Sequence, residues 1–460
     1  MWGWFAPSCP LDLFEKTWTE RRMRWFADRF GIERLLKAEV ILPTDDYFPD
    51  EYSETLESAR RMMHRICGYM GVDAASVRLE VRPDGDLPNA AGHYDATGKE
   101  AVIRVAESQL HQPESLAATL AHELAHEILL GGGFLTTECP DHESVTDLLP
   151  LYLGLGVFAA NSTVHDRSTS TATMSYFWIR RQGYLPSRVF GYAFALFAFV
   201  RGETNPPWLS YLRPDAAEPC RAGLQYLRKT NDSLFHPDTL RRPGREPSPR
   251  ELAERLQHPS PTFRLDALWD VRDRILTDTE LVAPVLQLLS APDDILVGEA
   301  AATLRQFGPA AAAAVPLLLS ALRSRRDETR ASAAYTLGQL HLQADEVIPE
   351  LTFLLGDASR DVVFAAALAL QPFGREAQPA VGSVLPALHR ALVKVEYRLL
   401  SALAGALHAI SPDPQQDVKE YFTDADGELL GLALNALKET SEPCRAADGQ
   451  GITSGTGKLP

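Results

Sequence analysis

Four prolines in the second half of the chain, Pro284, Pro316, Pro349 and Pro386, each open a similar apolar run, and the steps between them are 32, 33 and 37 residues. A second column keeps the same register: Leu268, Leu304, Leu337, Leu370 and Leu407 recur inside alanine-rich segments such as Glu299-Ala-Ala-Ala-Thr-Leu304. Each unit reads as a helix, a short polar turn carrying aspartate (Asp293 and Asp294, Asp327, Asp357), and a small-residue helix ending near glycine (Gly308, Gly338, Gly374). One such helix pair cannot bury its apolar face alone, whereas stacked pairs share a continuous core. The alanines let neighbouring helices approach closely.

The pattern resembles the HEAT-repeat family in its short, PBS-lyase-like form, over residues 249–440 in five or six units. The resemblance implies an all-α solenoid that holds a protein partner on one face. A plain all-α bundle is the competing architecture. No catalytic constellation falls in this half. Lysine and arginine do not cluster on one helix face, and 61 acidic against 45 basic residues give a net charge of -16, so a nucleic-acid partner is not expected.

At 460 residues the chain exceeds one hydrophobic core, and the proline-rich polar stretch 229–248 has linker composition. That gives residues 1–228 as a first domain, 249–440 as the array and 441–460, rich in Gly and Ser, as a disordered tail. The first domain mixes helix and strand patterns. Residues 11–36 and 54–70 read as helices, 77–81 and 102–105 as strands, and 141–158 as one helix kinked at Pro150. Further helices are expected around Phe177 and Phe190 and over 217–227. Five scattered cysteines without a C-x-x-C pair suggest reduced thiols. The first residues lack a secretory pattern, and the apolar stretches 148–160 and 189–200 fall short of the roughly 20 residues a membrane span needs. A cytoplasmic protein without membrane attachment is the expectation.

Thr119-Leu-Ala-His122-Glu123-Leu-Ala-His126 contains H-E-x-x-H inside a helix that begins at Pro113 and ends before Gly131-Gly-Gly133. Four residues return to one helix face, so both imidazoles can reach a single Zn2+ while Glu123 stands beside it as general base. Catalytic zinc takes three protein ligands and keeps a position for water. Downstream, in Asp141-His142-Glu143-Ser-Val-Thr-Asp147, Glu143 and Asp147 again share a helix face.

H-E-x-x-H followed by E-x-x-x-D resembles the gluzincin peptidases over two short segments between residues 92 and 161. The resemblance implies an α+β zincin-like domain, Glu143 as third zinc ligand and Asp147 as acceptor for His122. His142 competes with Glu143 as ligand. The metzincin spacing is excluded, because it requires glycine at Leu129 and histidine at Gly132. Zincins also place an edge strand before the motif helix, where Gly92-His93-Tyr94-Asp95 and the 102–105 strand stand in this chain. Tyr176, Tyr184, Tyr192 and His165 are candidates by residue type for stabilising a transition state. The expected function is a zinc-dependent peptidase whose array recruits a protein partner or peptide substrate. The alternatives are a non-enzymatic interaction scaffold with a structural or vestigial zinc site, and a zinc hydrolase acting on another bond.

Overall fold

The computed structural model describes residues 7–87, 91–96, 101–162, 185–236, 240, 246–422 and 427–441. It is mostly helical, with a small three-stranded sheet, and the chain divides into two compact units between residues 245 and 246. Among the described residues no helix is long and apolar enough to cross a membrane.

The first unit opens with α1 (Leu13–Phe30), where the Asp12 carboxylate accepts the Glu15 N–H at 2.8 Å. The helix expected over 11–36 is two helices, because Gly31 takes φ 83 and starts α2 (Ile32–Lys37) on a new axis. Helix α3 (Leu56–Met70) starts from a reciprocal cap between Thr55 and Ser58.

Strands β1 (Val77–Arg82), β2 (Gly92–Asp95) and β3 (Ala101–Ala106) form a sheet in the order β1-β3-β2. β1 runs parallel to β3, with Val77 opposite Ala101, whereas β2 is antiparallel, with Gly92 opposite Val105. Leu79, Ile103 and Val105 are buried, and the sheet packs on α3 and on α4 (Pro113–His126). Proline at the first position of α4 removes an amide that would have had no intrahelical partner. After His126 the helix widens into one π turn, Glu127–Gly131.

α5 (His142–Tyr152) runs through Pro150, and α6 (Gly156–Ser162) follows. The single helix expected over 141–158 is therefore broken, at Gly154. There φ is 98, the carbonyl accepts the Ile41 N–H at 2.9 Å, and a Cβ would lie 2.1 Å from the Glu39 carbonyl oxygen. The apolar helix Ser187–Val200 and the amphipathic helix Pro214–Thr230 then pack side by side, where a Cβ at Gly191 would lie 2.4 Å from the Ala216 carbonyl oxygen. The helix expected around Phe177 lies outside the described residues. The front of the stretch read as linker belongs to this unit: Lys229 is helical, Leu234 and Phe235 are buried, and the Leu234 N–H donates to Glu20 at 2.7 Å.

The second unit is an array of helix pairs: Pro249–Arg255 with Pro261–Asp273, Thr279–Leu288 with Asp294–Leu304, Val315–Ala321 with Asp327–Leu340, Ala344–Leu354 with Arg360–Leu370, Val381–Val393 with Tyr397–Ile410, and Pro414–Tyr421 with Gly427–Ser441. Each second helix packs on the second helix of the next pair. Gly338 makes one of these approaches possible, since a Cβ there would lie 2.4 Å from the Ala369 Cα. Ser324 to Asp294 and Ser359 to Asp327, both 2.9 Å, repeat one hydrogen bond between successive units. Pro284, Pro349 and Pro386 sit inside their helices rather than at the start. Two of the connections, Arg305–Ala314 and Gln371–Ala380, are tight helical segments with Gly308 and Gly374 at the same φ of 54.

Candidate metal centre

The motif helix α4 lies between the sheet and α5, and its buried face carries Leu116, Leu120 and Leu124. On that frame His122, His126 and Glu143 bring one ligand atom each within 4.8 Å of one another. Glu143 Oε2 is 3.4 Å from His122 Nε2 and 3.3 Å from His126 Nε2. Zinc bonds of about 2.0 to 2.1 Å at a tetrahedral angle separate adjacent donors by about 3.3 Å. The donor set fits zinc in kind, and both separations from Glu143 match that spacing.

Both histidines are aimed by their other ring nitrogen. His122 Nδ1 donates to Asp147 Oδ1 at 2.8 Å, which turns Nε2 toward the cluster. Asp147 is fixed in turn, because its second oxygen accepts the Leu185 N–H at 2.9 Å. His126 Nδ1 faces the Thr146 hydroxyl oxygen at 3.4 Å, and that hydroxyl donates to the His142 carbonyl at 2.8 Å. The Tyr94 ring stacks on His126 with centroids 5.9 Å apart, and its hydroxyl donates to Glu127 at 2.7 Å.

The charges follow from burial and these contacts. Burial alone would lower the His122 pKa, but its bonds to Asp147 and Glu143 outweigh that and lift it well above the ordinary imidazole value. Burial would raise Glu143, yet the two imidazoles hold it well below the usual carboxylate range. His126 is lowered, chiefly by burial. Burial pushes Glu123 up to about 7, opposed by His122 and reinforced by the Glu143 charge.

Glu123 sits against the edge strand. A Cβ at Gly92 would lie 2.6 Å from Glu123 Oε1 and 2.6 Å from Thr119 Cγ2, so only glycine lets β2 come this close to α4. Of the residues singled out by the motifs, His122, Glu123, His126, Glu143 and Asp147 are gathered here. His142 is adjacent but turns its Nε2 to Glu143 Oε1 at 3.1 Å rather than joining the donors. Tyr192 is not at the site: it is fully buried and its hydroxyl donates to Glu20 at 2.6 Å. His165, Tyr176 and Tyr184 lie outside the described residues. Thr146, Tyr94 and the Leu185 amide were not anticipated from the motifs. Thr146 carries a faint signal, standing one turn after Glu143, but the other two depend on chain-distant packing.

No family model matches the chain, and no curated protein matches it. Among solved structures, an engineered protein is 20% identical over 41% of this chain and 95% of its own, with a TM-score of 0.33. A designed armadillo repeat protein in complex with the peptide (KR)4 is 15% identical over 41% of this chain and 98% of its own, with a TM-score of 0.32. A Kap121p mutant is 13% identical over 72% of this chain and 36% of its own, with a TM-score of 0.33. Likeness at these scores carries no argument about function, and the helix-pair array stands on its own packing.

Proposed function

We propose that the first unit is a zinc-dependent hydrolase of the gluzincin kind, cleaving peptide bonds, and that the HEAT-like array recruits a protein partner or substrate. The observation that carries this reading is the placement of Glu143 Oε2 at 3.4 and 3.3 Å from the two imidazole Nε2 atoms, with Glu123 buried beside them. His122, His126 and Glu143 would hold the ion. A zinc ion so held lowers the pKa of a bound water to about 7 and polarises a carbonyl.

The chain's own residues supply the rest. Glu123, buried beside the proposed donors without being one of them, accepts the proton of the attacking water and returns it to the leaving amine. Asp147 and Thr146 keep the imidazoles aimed. Among the described residues β2 pairs with β3 alone, so its other edge can pair with an extended peptide running past Glu123. The order of strand, glycine gap and buried carboxylate supports a peptide-like substrate.

A structural zinc site needs no buried carboxylate beside its ligands and favours four protein donors. A second reading, an interaction scaffold that retains the metal, draws its support from the six helix pairs. Glu123→Gln separates the two. Gln is nearly isosteric and Glu123 is not among the donors, so zinc content should hold while hydrolysis falls by about 10² to 10⁴-fold. Full-length wild type and variant should be compared on a peptide library and on cell extract. Equal processing by both would leave the scaffold as the better reading.

A further inference from the structure

The turns inside the third and fourth helix pairs of the array are polar and close onto the pair before them. Ser324 donates to Asp294 at 2.9 Å; in the fourth pair Asp357 accepts from two nitrogens of Arg330 at 2.9 Å, and Ser359 donates to Asp327 at 2.9 Å. The register set by Pro349 and Pro386 carries Asp357 and Ser359 to Lys394 and Glu396 of the fifth pair, whose side chains make no hydrogen bond or ion pair among the described residues. In the same register Gly356, Ala358 and Arg360 become Val393, Val395 and Tyr397. We infer that this fifth turn is the surface on which the array docks an acidic segment of a partner protein that carries apolar side chains. The inference rests on the recruiting role proposed above and deepens it, without depending on the zinc.

Folding gains nothing from the exchange. Val393, Val395 and Tyr397 are all exposed, Tyr397 to 77%. Val395 takes φ 56, a left-handed conformation that a β-branched residue rarely adopts, whereas the fourth turn holds no residue at positive φ. Phe353, 79% exposed, stands in the last turn of the first helix of the fourth pair. Arg390 of the fifth pair donates to the Leu355 carbonyl at 2.7 Å, which brings those two helix ends together.

Charge selects the partner. Arg390, Lys394 and Arg398 form no ion pair among the described residues, and Arg398 is steadied over the Phe364 ring at 4.7 Å. Glu396 is the lone acid between residues 385 and 400, in a chain of net charge -16. An aromatic and two valines among unpaired cations suit a segment that brings apolar anchors between carboxylates.

The test pans a random peptide display library on full-length protein and measures synthetic copies of the recovered sequences by fluorescence anisotropy. Recovered peptides should combine Asp or Glu with Leu, Phe or Trp, and their affinity should fall as salt rises, because the cations are exposed. Val393→Ser combined with Tyr397→Ser should weaken them by about 10-fold or more at an unchanged unfolding midpoint, and Lys394→Glu should weaken them as well. Val395→Gly should raise the unfolding midpoint by relieving the left-handed valine while it weakens the peptides, a split that a turn kept only for folding would not give. Peptides that bind wild type and the double-serine protein alike would overturn this inference and leave recruitment to another face of the array. Basic or uncharged peptides would overturn it on chemistry. A wild-type dimer that Tyr397→Ser dissolves would overturn it by giving the surface to a second copy. Recovery of no peptide would overturn the inference and the recruiting role together.

Discussion

Asp147→Ala probes the centre through a residue that never touches the proposed metal. Asp147 accepts on both oxygens, from His122 at 2.8 Å and from the Leu185 N–H at 2.9 Å, and its side chain is only 10% exposed. Two separate losses follow from its removal. Without the Nδ1 acceptor, His122 can turn and change tautomer, which costs about 10 to 100-fold in zinc affinity, or about 1.4 to 2.7 kcal/mol. Without the second oxygen, the Leu185 amide is left buried and unpaired, which costs about 1 to 3 kcal/mol of folding stability with or without metal. Chelator competition on full-length protein measures the first, and thermal unfolding in excess chelator measures the second. Because zinc binds the folded state, the stabilisation it confers should shrink by the same amount as its binding energy. Zinc affinity within about twofold of wild type would refute the orienting role, since the expected loss starts near 10-fold. Complete loss, as expected for His122→Ala, would refute it in the other direction.

Gly92→Ala places a methyl 2.6 Å from Glu123 Oε1 and should cut hydrolysis while leaving zinc content near wild type, because none of the three donors moves; equal activity in the variant would refute the strand's closeness to the base. Zinc affinity should climb with pH, because the raised His122 pKa means that the metal must displace its proton: about tenfold per unit from pH 6.5 until the raised pKa is passed, and level above it. A flat titration between about pH 6.5 and 7.5 would remove that proton from the account. In the array, Gly338→Ala sets a Cβ 2.4 Å from the Ala369 Cα and should cost about 1 to 3 kcal/mol, read as a lower unfolding midpoint, with no change in zinc content; an unchanged midpoint would refute the close helix contact.

The parts of this architecture that follow from period were legible in the sequence. Residues four apart return to one helix face, so the pairs His122 and His126, and Glu143 and Asp147, could be placed on their helices without knowing the fold. The leucine column likewise marked the second helices of the array. What the sequence hid depends on contacts between distant segments. The break at Gly154 is imposed by the Glu39 and Ile41 backbone more than a hundred residues away, so an apolar run that reads as one helix becomes two. The array prolines mark the register but not the helix starts: Pro284 lies within Thr279–Leu288 and Pro349 within Ala344–Leu354. Tyr192 showed why residue type alone is a poor guide to a stabilising hydroxyl, because its partner Glu20 lies on α1 and buries it.

The orienting contacts on α5 also explain why α1 matters to a site it does not enter. Asp147 and Thr146 on α5 can aim His122 and His126 on α4 only while the first turns of α5 keep their place against α4. Asp141, immediately before α5, is gripped by α1: its Oδ2 accepts from Trp18 Nε1 at 2.8 Å and from Arg22 at 2.9 and 2.6 Å. Burial works against the Asp141 charge, yet Arg22 and Trp18 outweigh it and keep the carboxyl below its ordinary range. An aspartate that the motif alone would assign to capping α5 is instead a tie between helices, and no capping bond from its side chain is present. Residues 18 and 22, far from the motif in sequence, thus tie the start of α5 to α1. A search for the site by H-E-x-x-H would never return them, because they stand about a hundred residues before the motif and bond to the residue that precedes α5.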